Sequence, residues 1–182
     1  MPRVEPIRGK ADMAPEHQHL IDEAIAIFGA VRGPTSMLLH SPDLAALVLP
    51  LVRFFREKSV VPGPLRSLAI LALVRERRAA YVWAAQVGAA RREGVREELI
   101  DLLRAECDPA GLPAEERDIV LFARQLARTN RADQALFDAL LARHGAQWLV
   151  ELTAAMNFYG MLSGITNAFE VPAVADGDRL PL

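Results

Sequence analysis

Cysteine is nearly missing from this chain of 182 residues: Cys107 is the only one. That excludes an intrachain disulfide framework and any chemistry needing two thiols within one subunit. The one thiol sits between Glu106 and Asp108, whose charges oppose the thiolate that a nucleophilic cysteine must form. An excess of one charge is missing as well. With a formal net charge of -2 and both signs interspersed, the chain has no field to recruit nucleic acid or an anionic membrane. No apolar run reaches the ~20 residues that span a bilayer. The N-terminal stretch MPRVEPIRGKADMAPEHQ has no apolar segment of the signal-peptide kind. Also absent are a glycine-rich phosphate loop, internal repeats and clustered metal ligands; His17 and His19, two apart on a helix, point to different sides. The expectation is a cytoplasmic protein with no metal, no cofactor, and neither nucleic acid nor membrane as partner.

What is present is organised around Leu65 to Arg92, two apolar helical segments joined at the cluster Arg75-Glu76-Arg77-Arg78. In the first, Leu68 to Val74 leaves almost no polar face, the composition of a helix enclosed by other helices. In the second, Ala79 to Ala90, only Tyr81, Trp83 and Gln86 carry a hydrogen-bonding side chain. A polar group buried there without a partner costs roughly 1–3 kcal/mol, so each needs a partner or a pocket.

The remainder reads as helices separated by Pro and Gly. Residues 1 to about 15, with Pro2, Pro6, Gly9 and Pro15, predict an extended arm. A helix follows from Pro15 to Gly33, and Ser41-Pro42 opens another to about Glu57 with Leu44, Leu47, Val48, Leu51, Phe54 and Phe55 facing inward. Pro64 opens the central helix, and Gly94 closes the one after it. Then come helices from about Val95, from Ala114 to Thr129, from Gln134 to Arg143 and from Ala146 to Phe169. The expected architecture is an all-α multi-helix bundle of seven or eight helices, one domain over residues 16–172, with a C-terminal tail over 173–182.

These motifs carry a resemblance. LRSLAIL at Leu65 to Leu71, the tyrosine-containing turn into WAAQVGAARREGV at Trp83 to Val95, HSPDLA at His40 to Ala45, REGVREELI at Arg92 to Ile100 and the late helix VELTAAMNFYGMLSGITNAFEVP are similar to the carboxymuconolactone decarboxylase superfamily, which includes the alkylhydroperoxidase-D-like proteins. The similarity runs from about Met37 to Pro172. It implies an all-helical fold and a homo-oligomer of two or more subunits. The peroxidase branch has a pattern of Glu, eleven residues, then Cys-x-x-Cys-x-x-x-His. Laid on this chain, those positions hold Ser67, Ala79, Val82 and Gln86, and only the tyrosine before the second cysteine is kept, as Tyr81. The decarboxylase branch also carries a His at the Gln86 position. Both branches' signature chemistry is therefore missing: an amide neither titrates near neutrality nor passes a proton as imidazole does.

Two functions remain open on this reading. In one, a small-molecule enzyme or ligand-binding relative uses Tyr81, Gln86 and Ser67 as reacting or polarising groups, with His40, Arg66, Ala79, Val82, Trp83 and Asn157 around the ligand. Tyr81 would donate a proton and Gln86 polarise a carbonyl, and an arginine in the pocket would favour a carboxylate. In the other, the chain is a non-catalytic oligomeric binding or scaffold protein. Each residue also has a structural reading: His40 bonding a turn, Ser67 bonding its own helix, Tyr81 and Trp83 packing, Asn157 an oriented amide, Arg66 an ion pair. A thiol peroxidase is the least favoured, since Cys107 would have to act alone or across subunits.

Overall fold

The structure, a computed structural model, describes residues 1–174 and 177–181. Its described residues form nine α-helices and no strand: α1 His19–Phe28, α2 Pro34–Leu38, α3 Pro42–Glu57, α4 Gly63–Glu76, α5 Ala80–Arg92, α6 Glu97–Arg104, α7 Ala114–Thr129, α8 Gln134–His144 and α9 Ala146–Ala168. The ninth helix beyond the expected count is α2, which Pro34 starts immediately after the break at Gly33.

Helix α4 is the middle of the core. Every residue from Arg66 to Arg75 is buried, and α5, α6, α7 and α9 pack around it. The two arginines at its ends find partners: Arg66 donates to the Val61 carbonyl at 2.9 Å and pairs with Glu93 at 3.6 Å, and Arg75 pairs with Glu106 at 2.8 Å. Gly160 on α9 brings that helix against Leu73, where an added Cβ would stand 3.2 Å from the leucine methyl.

Two boundaries differ from the expectation. The first helix stops at Gly29, in the left-handed conformation with φ 78°, not at Gly33. On α3 the buried residues are Ala45, Val48, Leu49, Val52 and Phe55, while Leu44, Leu47 and Leu51 face outward. Both stripes are apolar, so composition did not distinguish the covered one.

Both terminal segments lie against the chain's own helices. Ile7 is buried, its N–H donates to the Ser36 carbonyl at 3.2 Å, and Arg3 donates to the carbonyls of Ala168 and Phe169. After α9, Asp178 pairs with Arg91 and with Arg104 at 3.1 Å, and Leu180 enters the core. The expected tail spans 173–182; its positions 175, 176 and 182 lie outside the described residues. No helix among the described residues is long and apolar enough to cross a membrane.

Candidate functional site

A cavity of about 450 Å³ opens along one side of α5, within the size range of small-molecule sites. It exists because that side of the helix is built from small residues: Ala84, Ala85, Gly88 and Ala89 contribute little volume between Tyr81 and Val82 at one end and Arg92 at the other. Opposite them stand Ile27 and Phe28 from the end of α1, Pro34 and Thr35 from α2, and Tyr159 and Leu162 from α9. Val174 and Gly177 of the C-terminal segment form the remaining wall, with Gly177 close to the Ala84 methyl.

Three cations line it: Arg32, Arg56 and Arg92. Arg56 reaches from the last turn of α3, donates to the Ile27 carbonyl at 2.6 Å and lies over the Phe28 ring, 5.0 Å from its centroid. Among the described lining residues there is no carboxylate, histidine or cysteine. The charges among the described lining residues are therefore all positive, and the polar groups these residues offer are mainly donors: guanidinium N–H, the phenols of Tyr81 and Tyr159, the Thr35 hydroxyl and the Gln86 amide.

Tyr81 is held by the backbone opposite it. Gly33 (φ 61°) packs so closely on the phenol ring that a Cβ there would fall inside it. Burial pushes the Tyr81 pKa up, and the nearby positive charge of Arg32 opposes that shift. The phenol is thus protonated near neutral pH and acts as a donor.

Of the residues singled out from the sequence, the structure brings Tyr81, Val82 and Gln86 into this cavity. The others lie elsewhere. Ala79 is fully buried as the residue at the N-cap of α5 and is not among the residues lining the cavity. Ser67 is enclosed in α4, and Trp83, on the inner side of α5, is fully buried with no partner for its Nε1 among the described residues. Arg66 is occupied with Val61 and Glu93. His40 is exposed and its Nε2 meets the Glu5 carbonyl at 3.0 Å, tying down the N-terminal arm. Asn157 is exposed and bonds back to the Thr153 carbonyl at 2.9 Å. Cys107 is exposed, beyond α6, and does not line the cavity. Among the described residues no three His, Cys, Asp or Glu side chains stand together to hold a metal ion.

What sequence reading missed is the cationic part of the site. Arg32 lies in a connection and Arg56 on another helix, and no spacing rule links either to α5. Arg92, by contrast, lies eleven residues after Tyr81 on the same helix, about three full turns, and helical spacing offered a signal for it.

The helices packed around α4 form an all-α fold of the alkylhydroperoxidase-D-like type, the architecture implied by the sequence motifs. Among solved structures, an uncharacterized peroxidase-related protein from Ralstonia eutropha JMP134, an alkylhydroperoxidase AhpD core, matches with a TM-score of 0.78 at 16% identity, over 96% of this chain and 93% of that one. The debrominase Bmp8 in its apo form matches with a TM-score of 0.73 at 18% identity, over 93% of this chain and 91% of its own. A cysteine-to-alanine variant of Bmp8 in complex with 2,3,4-tribromopyrrole gives 0.73 at 20% identity, over 94% and 91%. Likeness at such identities is one of fold. No protein-family model matches the chain, and comparison with curated proteins finds no match.

Proposed function

We propose that this chain is a small-molecule enzyme or ligand-binding protein that works without thiol chemistry and takes a partly apolar, carboxylate-bearing ligand in the cavity beside α5. The observation that carries this reading is the lining: three arginines and no acidic residue among the described positions, around a floor of alanine, valine and leucine. A guanidinium presents a planar fork of donors that matches a carboxylate, and the apolar floor accepts the rest of the molecule. In the enzymatic form, Tyr81 donates a proton to the substrate and Gln86 polarises a carbonyl, since both line the cavity and neither can act as a base at neutral pH. A ligand of this size suits the fold, in that a Bmp8 variant of like architecture was solved with a halogenated pyrrole.

Isothermal titration of benzoate and octanoate, each against its neutral amide, tests the reading. The acids are expected to bind and the amides to bind at least several-fold more weakly. Arg32→Gln is expected to weaken the acids by about 1 kcal/mol, roughly fivefold, a value kept small because this arginine is exposed. Acids and amides binding alike, with Arg32→Gln indifferent, would remove the proposal. Mass spectrometry of the bound ligand after incubation then separates the two forms: conversion abolished by Tyr81→Phe marks an enzyme, and an intact ligand marks a binding protein.

The protein is further proposed to assemble as a dimer or a higher homo-oligomer, and the outward stripe of α3 supports this. Leu44, Leu47 and Leu51 are 43%, 74% and 41% exposed at helical spacing on one face, an apolar row of the kind that protein contacts cover. Leu47→Glu is expected to lower the mass measured by light scattering to that of one chain. A wild-type protein already monomeric at micromolar concentration overturns the assembly proposal and leaves the cavity reading untouched.

A further inference from the structure

The cations of the cavity are not gathered at one place. Arg32 lies at the end where Tyr81 opens α5: it directly precedes Gly33, which packs on the Tyr81 ring, while Arg56 is held at the Ile27 carbonyl and the Phe28 ring at the end of α1. Arg92 lies at the opposite end of α5, and its side chain runs back along the helix. Its Nη1 stands 3.6 Å from the place a Cβ would occupy on Gly88, so the guanidinium rests over the bare backbone of that glycine. Gly88 is seven residues beyond Tyr81, which puts the two ends about 10 Å apart along the axis at about 1.5 Å per residue. Between them the described lining is Val82, Ala84, Ala85 and Ala89 from α5 and Leu162 from α9, with the Gln86 amide as the polar group of α5 there and no charge.

A single carboxylate needs only one of these ends. Two cationic ends with an apolar floor between them fit a molecule charged at both ends and oily in the middle. Resting on the carboxylate-binding reading above, the geometry points to an elongated dianion as ligand: an aliphatic chain with an acid group at each end, one held by Arg32 beside Tyr81, the other by Arg92. A compact dianion cannot reach both. A fatty acid of equal length leaves Arg92 desolvated along one side with no partner, which costs affinity relative to the diacid.

The experiment is a calorimetric series on the full chain with succinate, adipate, suberate and sebacate, and with octanoate as the one-ended control. Adipate or suberate is expected to bind tightest, about tenfold tighter than octanoate, the size of one added charge-assisted contact at a largely exposed arginine. Arg92→Gln is expected to close most of the gap between suberate and octanoate, and Arg92→Lys to restore part of it; the far-ultraviolet circular dichroism of each variant reports whether it folds. Tightest binding by succinate, or a suberate-to-octanoate ratio that Arg92→Gln does not change, overturns the two-ended site while leaving the carboxylate reading intact if Arg32→Gln still weakens octanoate. Binding by none of these acids takes both down together.

Discussion

Glu76→Ala is expected to lower the unfolding free energy by about 3–5 kcal/mol, the range for leaving one partner of a buried ion pair unmatched. Glu76 ends α4 with its side chain 12% exposed, and it faces two arginines of α7. Arg128 donates to it with two nitrogens, at 2.8 and 2.7 Å, and Arg124 stands 3.6 Å away with its own side chain 8% exposed. Arg124 also donates to the Cys107 carbonyl at 2.9 Å, but its Nη2 has no partner among the described residues. Burial pulls the Arg124 pKa down, and Glu76 is the largest influence holding it up. Removal of Glu76 therefore strands a buried cation. Arg128 is 56% exposed, so its share of the pairing is screened and Arg128→Ala should cost no more than about 1 kcal/mol. Urea unfolding at pH 7 checks both, with an unchanged slope required for the comparison. The double change Glu76→Leu with Arg124→Met should recover most of the loss, since an apolar pair of like volume carries no desolvation cost. If Glu76→Ala costs no more than Arg128→Ala, the cluster is hydrated in solution.

The same helix shows how much of the architecture the amino-acid sequence makes legible. Helix α4 was readable because it is apolar on every side: where no face is polar, there is no face to misassign. Helix α3 has two adjacent apolar stripes, and periodicity supplies their angular positions without saying which one the rest of the chain covers. In the site, Tyr81, Val82 and Gln86 were legible because one helix fixes their relative directions. Ala79 does not join them: it is fully buried at the N-cap, where the backbone (φ -94°, ψ 86°) is not yet helical. Trp83 differs: it is one residue past Val82, which turns it by about 100° to the inner side of α5. The arginines are a third case. Arg32 and Arg56 reach the cavity only because α1, α2 and α3 pack where they do, and that is information of the tertiary structure, as is the occupation of Arg66 and His40 by backbone carbonyls.

Gly33→Ala carries the second large expected effect, about 2–6 kcal/mol, composed of two penalties that can be separated. The first is conformational: φ 61° with ψ -136° lies in a region that residues with a Cβ scarcely enter, at about 1–3 kcal/mol. The second is steric, because the new methyl would occupy the space of the Tyr81 ring, and overpacking of this kind costs typically about 1–3 kcal/mol. Gly29→Ala is the control, for Gly29 also has a positive φ, 78°, but nothing lies within 4 Å of where its Cβ would be, so only the conformational penalty applies. Truncating the ring, Tyr81→Ala, removes the steric penalty from the Gly33 variant and leaves the backbone one, and a double-mutant cycle reads the difference. The single Gly33→Ala change must also move the phenol away from its place beside Arg32, so carboxylate binding should fall along with stability, whereas Gly29→Ala should affect stability alone. A Gly33→Ala protein no less stable than Gly29→Ala, with binding intact, would mean that the ring is free to yield and that the glycine does not hold Tyr81 in the cavity.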